Sequence, residues 1–282
     1  MKLDNKKNLL TIIGIVAVVV ILFIILILSS PSTQTYKKTS QSSNSTGAIK
    51  ANPTVIADVT SVPETILNEI GTGSSNNGPK AIKAPALTAN NKPEVLYEGA
   101  EYCPYCATER WAMTIALSKF GHFTNLKQTH SSSSDVYPNT QTLSFYDSTY
   151  NSNYITFTPI EIYTNIPSGS GGYTTLQTPT KAQNNIINKY DASPYLPSSD
   201  AGAIPFIDFG NKYLIAGATY DPQVLQGKSA TQIASSLSDP SSAIAKGADG
   251  AANVIIATIC HLTNNQPTTV CNSNILAIEK HL

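Results

Sequence analysis

Apolar positions fall into one long unbroken block near the start of the chain and into periodic patterns after it. Residues 9–28 are twenty consecutive positions with no charge and one polar side chain, Thr11. At about 1.5 Å per residue a helix of that length covers roughly 30 Å, the hydrocarbon thickness of a bilayer. A cleaved leader has an apolar core of about 7–15 residues and a small-x-small cleavage site. Leu28-Ser29-Ser30-Pro31 offers no such site, so the block reads as an uncleaved signal anchor. A Ser/Thr-rich stretch with Pro31 follows and reads as a flexible stalk. The expected division is a tail at 1–8, the anchor at 9–28, a stalk at 29–52 and one folded domain at 53–282.

Within 53–282 the pattern alternates between periods of 3.6 and 2. Val55 to Ile70 carries Val62, Ile66, Leu67 and Ile70 at helical spacing, and Gly71 to Gly78 reads as a mobile loop. Pro93 to Tyr97 is a short strand, and Ala107 to Phe120 is a helix with a wide apolar stripe that Gly121 caps. The segment 131–172 is rich in Ser, Thr and Tyr, with strand-like runs at 142–146 and 154–157. Residues 179–190 read as helix. Phe206 to Phe209, a turn at Gly210-Asn211, and Lys212 to Ile215 form a hairpin pattern. Two apolar helical runs close the chain, Ala251–Ile259 and 272–281, separated by a polar turn. There is no internal repeat and no heptad.

Composition adds compartment. Charged residues make up only 13%, against fourteen tyrosines and many Ser, Thr and Asn, a balance typical of an external surface. Lys2, Lys6 and Lys7 precede the anchor and Lys37 and Lys38 follow it, a small bias toward a cytoplasmic N-terminus. The expected location is the cell membrane, single-pass, with the C-terminal domain extracytoplasmic. The formal net charge is zero, which gives no electrostatic basis for binding nucleic acid.

The chemistry sits in Cys103-Pro104-Tyr105-Cys106, between the predicted strand and the predicted helix. Unpaired N–H groups and the positive dipole end at a helix N-terminus favour a thiolate at the first sulfur. The thiolate is the attacking species in thiol–disulfide exchange. Outside the cytosol disulfides persist, and proximity favours Cys103–Cys106 and Cys260–Cys271 among the three possible pairings. The second pair is either a staple across a helical hairpin or a relay that exchanges electrons with the first. Two bland readings stand beside the redox one. Cys103–Cys106 could be a purely structural disulfide, or Cys103, Cys106, Cys260 and Cys271 could hold zinc, without the usual second Cys-x-x-C. The histidines His122, His130, His261 and His281 show no metal-ligand spacing. No cofactor and no metal are expected. Glu98 could assist proton transfer from Cys106 or be solvated surface, and Arg110, four residues past Cys106, could pair with a neighbouring carboxylate.

The segment Gly99 to Cys106 resembles the active-site segment of thioredoxins, with the Cys-Pro-Tyr-Cys quartet of glutaredoxins. A longer stretch, roughly Lys92 to Cys271, resembles a largely archaeal family of membrane-anchored proteins catalogued as a domain of unknown function. It does so through the segments 103–111, Tyr137-Pro138-Asn139-Thr140 and Ile204-Pro205-Phe206-Ile207-Asp208. The resemblance implies an α/β, thioredoxin-like fold with a large insertion before the cis-proline strand, preceded by one transmembrane helix. Pro205 is then the proline that packs, in the cis form, against the active-site cysteines. Its neighbours would hold a substrate strand against Cys103. About a hundred residues separate Cys103 from Pro205, and the buried acid many thioredoxins carry six residues before the first cysteine is here Tyr97.

These readings converge on a membrane-anchored extracytoplasmic thiol–disulfide oxidoreductase. Cys103 attacks, Cys106 resolves, and Pro205 positions the substrate. The expected partners are protein thiols and disulfides and a membrane redox partner. The competing reading is a non-catalytic extracellular binding or scaffold domain, in which Tyr146, Tyr150, Tyr154, Tyr163 and Tyr173 either line a groove or are half-exposed strand residues.

Overall fold

A computed structural model describes residues 47–282; the expected tail, anchor and most of the stalk lie outside the described residues. The strands are β1 (Ile49–Lys50), β2 (Lys80–Ala81), β3 (Thr88–Ala89), β4 (Lys92–Gly99), β5 (Gly121–Thr124), β6 (Lys127–His130) and β7 (Gln141–Ser144). They continue with β8 (Thr149–Ser152), β9 (Thr156–Glu161), β10 (Tyr163–Pro167), β11 (Tyr173–Thr175), β12 (Phe206–Phe209) and β13 (Tyr213–Ala216). The helices are α1 (Pro53–Thr60), α2 (Glu64–Ile70), α3 (Pro104–Phe120), α4 (Lys181–Tyr190), α5 (Ala230–Ser236), α6 (Ala243–Leu262) and α7 (Ser273–Glu279). The architecture is mixed α/β.

The main sheet runs β9-β4-β12-β13-β2 along its length, with β3 paired to the start of β4. β4 and β9 are parallel, whereas β12 is antiparallel to both β4 and β13. Because strand side chains alternate between faces, Val95 and Tyr97 of β4 join Ile207, Phe209 and Ile215 on one face. The helices α3 and α6 cover that face. Leu96, Phe206, Leu214 and Ile160 point to the other face, where Ile187 and Tyr190 of α4 and Leu196 close a smaller core. Both faces are therefore buried, which explains why β12 carries apolar Phe206, Ile207 and Phe209 on both faces, with Asp208 its one polar residue.

The α3 helix is the structural axis. Of its seventeen residues only Tyr105, Ser118 and Lys119 are not buried, so the expected apolar stripe is in fact burial on all sides. Its second coat is the serine- and tyrosine-rich insertion. Trp111 Nε1 donates to the Gln141 carbonyl at 3.0 Å, and Thr142 Oγ1 donates to the Ala107 carbonyl at 2.7 Å. Gly121 does not form a left-handed cap; it is extended and begins β5 directly.

Other expectations are corrected. The run 55–70 is two helices, because Pro63 ends the first pattern and serves as the N-cap of α2. Residues 47–52, read as the end of the stalk, join the domain: β1 pairs with β6, and Ala48 and Ala51 are buried. The loop 71–78, read as mobile, is docked, with Ser74 N–H donating to Lys246 O at 2.9 Å and Asn76 N–H to Thr219 O at 3.0 Å. Close approach here depends on small residues in α6. A Cβ on Gly250 would lie 2.5 Å from Thr72 O, and one on Gly247 2.5 Å from the Tyr220 ring. The α6 helix has twenty residues, long and apolar enough to cross a membrane, yet it is buried as a core helix against α3.

Candidate thiol site

Cys103 is the N-cap of α3, and Pro104 occupies the first turn, where its missing N–H costs no helical bond. The Cys106 N–H donates to Cys103 Sγ at 3.2 Å, so the sulfur takes the place of a side-chain oxygen cap. Both cysteines are free thiols; Cys103 is 4% exposed and Cys106 fully buried. Burial pushes the Cys103 thiol up. The hydrogen bonds from Cys106 and from the Cys106 and Tyr105 backbone, with the charge of Arg110, outweigh it and leave the thiol below its ordinary value. Burial, then the hydrogen bond and charge of Cys103, hold the Cys106 thiol well above its own. The pair is thus split, with Cys103 the more acidic of the two thiols.

Cys103 Sγ lies 3.6 Å from the Ile204 carbonyl, and the Ile204–Pro205 bond is cis. The chain therefore brings Cys103, Cys106 and Pro205 together across about a hundred residues, at the Phe206 end of β12. Ala100, Tyr102, Ile162 and Ile204 pack around the two sulfurs.

Beneath the dithiol lies a charged layer. Arg110 is fully buried and binds Glu161 through two bonds, Nε to Oε1 at 2.8 Å and Nη2 to Oε2 at 2.6 Å. Nη2 also donates to the Ala100 carbonyl at 2.7 Å. That contact places the guanidinium under the loop that carries Cys103. Glu161 closes β9 and also accepts from Phe145 N–H at 3.4 Å. Two other polar groups surround this pair. Glu101 accepts from Ser144 Oγ at 2.7 Å, and burial first, offset in part by that bond, raises its carboxyl to about 7. Tyr97 is fully buried, and burial raises its hydroxyl pKa well above the ordinary value. Tyr97 Oη, Glu101 Oε2 and Arg110 Nη1 have no hydrogen-bond partner among the described residues.

Arg110 thus pairs with a carboxylate, but one distant in sequence; Glu101 and Glu161 carried no periodicity or spacing that linked them to the cysteines. Glu98 is half-buried on the other face of β4, where burial and then Asp191 raise its carboxyl to about 7. The leading groups that act on Cys106 are Cys103, Arg110 and the Ala100 backbone. Tyr163 and Tyr173 flank the dithiol through Tyr102, whereas Tyr150 packs against Phe123 and Phe157 inside the insertion.

Cys260 and Cys271 form a disulfide that ties the end of α6 to the start of α7, with Cα atoms 5.7 Å apart. The relay reading needs this pair beside the dithiol. Instead His261 packs edge-on against Tyr213, which pairs with Phe209, while Cys103 meets the chain just before Phe206. The two cysteine pairs lie at opposite ends of β12, which also leaves the zinc reading without a common centre. Among the described residues no group of three or more His, Cys, Asp or Glu side chains is arranged to hold a metal ion.

Residues 80–261 match the profile of the family described as Domain of unknown function (DUF929). The chain belongs to this family. The matched span holds the whole main sheet, the dithiol and the Arg110–Glu161 pair, and ends between Cys260 and Cys271. No curated protein and no solved structure matches the chain.

Proposed function

We propose that the chain is a membrane-anchored, extracytoplasmic thiol–disulfide oxidoreductase acting on protein thiols and disulfides, with a thioredoxin-like core. The fold part of this reading is supported by the order β9-β4-β12-β13, the parallel β4/β9 pair and the antiparallel β12. The dithiol at the start of the helix after β4, and a cis proline immediately before β12, support it further. The insertion before that strand departs from a helical bundle: it is built of β5 to β11 and a single helix, α4.

The observation that carries the chemical part is the division of labour between two adjacent sulfurs. Cys103 Sγ accepts the Cys106 N–H at a helix N-terminus, its thiol lowered, while Cys106 is held up by burial. In the reducing direction the Cys103 thiolate attacks one sulfur of a substrate disulfide. A protein–substrate disulfide forms, and the first substrate thiolate leaves and takes a proton. Cys106 then loses its proton and attacks Cys103 Sγ, so that Cys103–Cys106 closes and the second substrate thiolate departs, to be protonated in turn. Two electrons pass from the dithiol to the substrate; oxidation of a substrate dithiol is the same sequence reversed. Arg110 stabilises negative charge on both sulfurs. The backbone at Ile204–Pro205 lies where an incoming chain would be aligned against Cys103.

The test is trapping. A Cys106→Ser full chain, incubated with a disulfide-containing protein, accumulates a mixed disulfide at Cys103, detected by mass, whereas Cys103→Ser accumulates none. Absence of the adduct in Cys106→Ser overturns the proposal. One observation favours the non-catalytic binding reading: Cys103 is only 4% exposed, so a substrate must press into the loop to reach it.

A further inference from the structure

Five large hydrophobic side chains stand exposed among the described residues, and one of them, Tyr105, lies between the two cysteines. Val136, 62% exposed, adjoins Tyr137, whose ring meets Tyr105 edge-on with centroids 6.0 Å apart and planes at 89°. Around Tyr102, which precedes Cys103, the rings of Tyr102 and Tyr173 are already engaged, whereas Tyr163 keeps 37% exposure. Tyr102 stacks on Tyr173 at 4.2 Å, Tyr173 Oη donates to Ser132 Oγ, and Ser132 N–H donates to the Tyr102 carbonyl at 2.7 Å. The Tyr105 side is open.

That open corner is also acidic. Asp135 is two residues before Tyr137. Asp221 follows Tyr220, whose hydroxyl is anchored on the Thr108 carbonyl, about one turn along α3 from Tyr105. Each aspartate uses one oxygen to accept a local backbone N–H, Val136 for Asp135 and Gln223 for Asp221. Neither is ion-paired among the described residues. Both act on the Tyr105 hydroxyl, whose pKa is raised first by burial, then by Tyr137, Asp135, Cys103 and Asp221. An aromatic face with unpaired carboxylates beside it attracts a cation in two ways at once, through the ring quadrupole and through charge.

We propose that the corner formed by Tyr105, Tyr137, Asp135 and Asp221 binds a lysine or arginine side chain on the protein segment whose cysteine reacts at Cys103. The proposal rests on the thiol reading above and narrows its substrate class to basic-flanked cysteines. The position of Tyr105 supports this occupant. Tyr105 is two residues from Cys103 and exposed, so a segment seated on the Cys103 sulfur can extend a flanking residue over its ring. A glutamate in the same place meets two like charges.

The experiment uses the full chain in detergent and two matched nine-residue peptides, each with one cysteine blocked as a mercaptoethanol disulfide and flanked by either lysine or glutamate. The reduced protein is expected to reduce the lysine peptide about tenfold faster than the glutamate peptide. In the combined variant Tyr105→Leu, Asp135→Asn, Asp221→Asn that ratio falls to about one. Equal rates in the natural protein overturn the proposal, as does a ratio that survives in the variant. Serine-for-cysteine versions of the peptides, followed by fluorescence anisotropy, separate docking from chemistry. If neither disulfide is reduced but the lysine-serine peptide binds preferentially, the thiol reading falls and the corner stands. If both disulfides are reduced at one rate and the serine peptides bind alike, the thiol reading stands and the corner falls.

Discussion

Replacing Glu161 by glutamine tests the charged layer under the dithiol. Glu161 and Arg110 are both fully buried, and two charge-assisted bonds of 2.6 and 2.8 Å join them. Charges in so dry a place are tolerable only as a pair. Removing one partner leaves the other desolvated and uncompensated, at a cost of about 3–5 kcal/mol. Stability of a domain is typically about 5–15 kcal/mol, so this loss is a large fraction of the total. With a urea slope of about 3 kcal/mol/M, the unfolding midpoint falls by about 1–1.7 M. Arg110→Met is expected to lose a comparable amount, and a double-mutant cycle shows coupling between the two changes. The thiol supplies a second readout with opposite signs. Glu161→Gln unmasks the guanidinium and lowers the Cys103 thiol further, whereas Arg110→Met removes a positive charge and raises it. Alkylation of Cys103 followed against pH in native buffer measures this. A loss below about 1 kcal/mol in both variants refutes the reasoning, as does a thiol that moves the same way in both.

Stability should fall with rising pH through the neutral range. Burial raises Glu101, Glu109 and Asp208 to about 7 and Asp249 to about 8, against unfolded values near 4. Between those limits the folded state holds protons that unfolding releases. The contribution is therefore fully present in acid and lost as pH rises, by up to about 1.4 kcal/mol per pH unit for each group. Urea midpoints at pH 5, 6, 7 and 8 should descend; a rise across that series contradicts this. Converting both Cys260 and Cys271 to serine should cost about 3 kcal/mol, as expected for a disulfide closing a loop of this size. It should leave exchange at Cys103 intact, since the disulfide lies at the other end of β12; lost exchange in a folded variant would restore the relay. Glu101→Gln should remove its share of the descending pH trend, which a comparison of the two urea series detects.

Local pattern carried much of the fold. The proline-led helix after β4, the β12–β13 hairpin with Gly210 and Asn211 both at positive φ, and the Cys260–Cys271 staple follow from turn chemistry and periodicity at short range. What pattern missed was set by tertiary packing. The burial of α3 on every side depends on the insertion folding over it, and the insertion's polar strands look like surface when read alone. The loop 71–78 has a flexible composition, yet Gly250 of α6 lets it dock. At the site, the cysteines were legible because their spacing is local. Glu161 was not, because fifty-one residues separate it from Arg110 and only the parallel β4/β9 pairing brings it beneath the loop.

The central claim is that Cys103 and Cys106 cycle between dithiol and disulfide and pass that state to other proteins. Its most direct test equilibrates the full chain against a graded series of reduced and oxidised dithiothreitol and quenches by acid alkylation. The oxidised form is then presented to a reduced peptide dithiol. A single reversible two-electron transition at Cys103–Cys106 and transfer of the disulfide to the peptide are expected, both abolished in Cys103→Ser. A pair that stays fixed in one state across the series, or transfer that persists in Cys103→Ser, would contradict it.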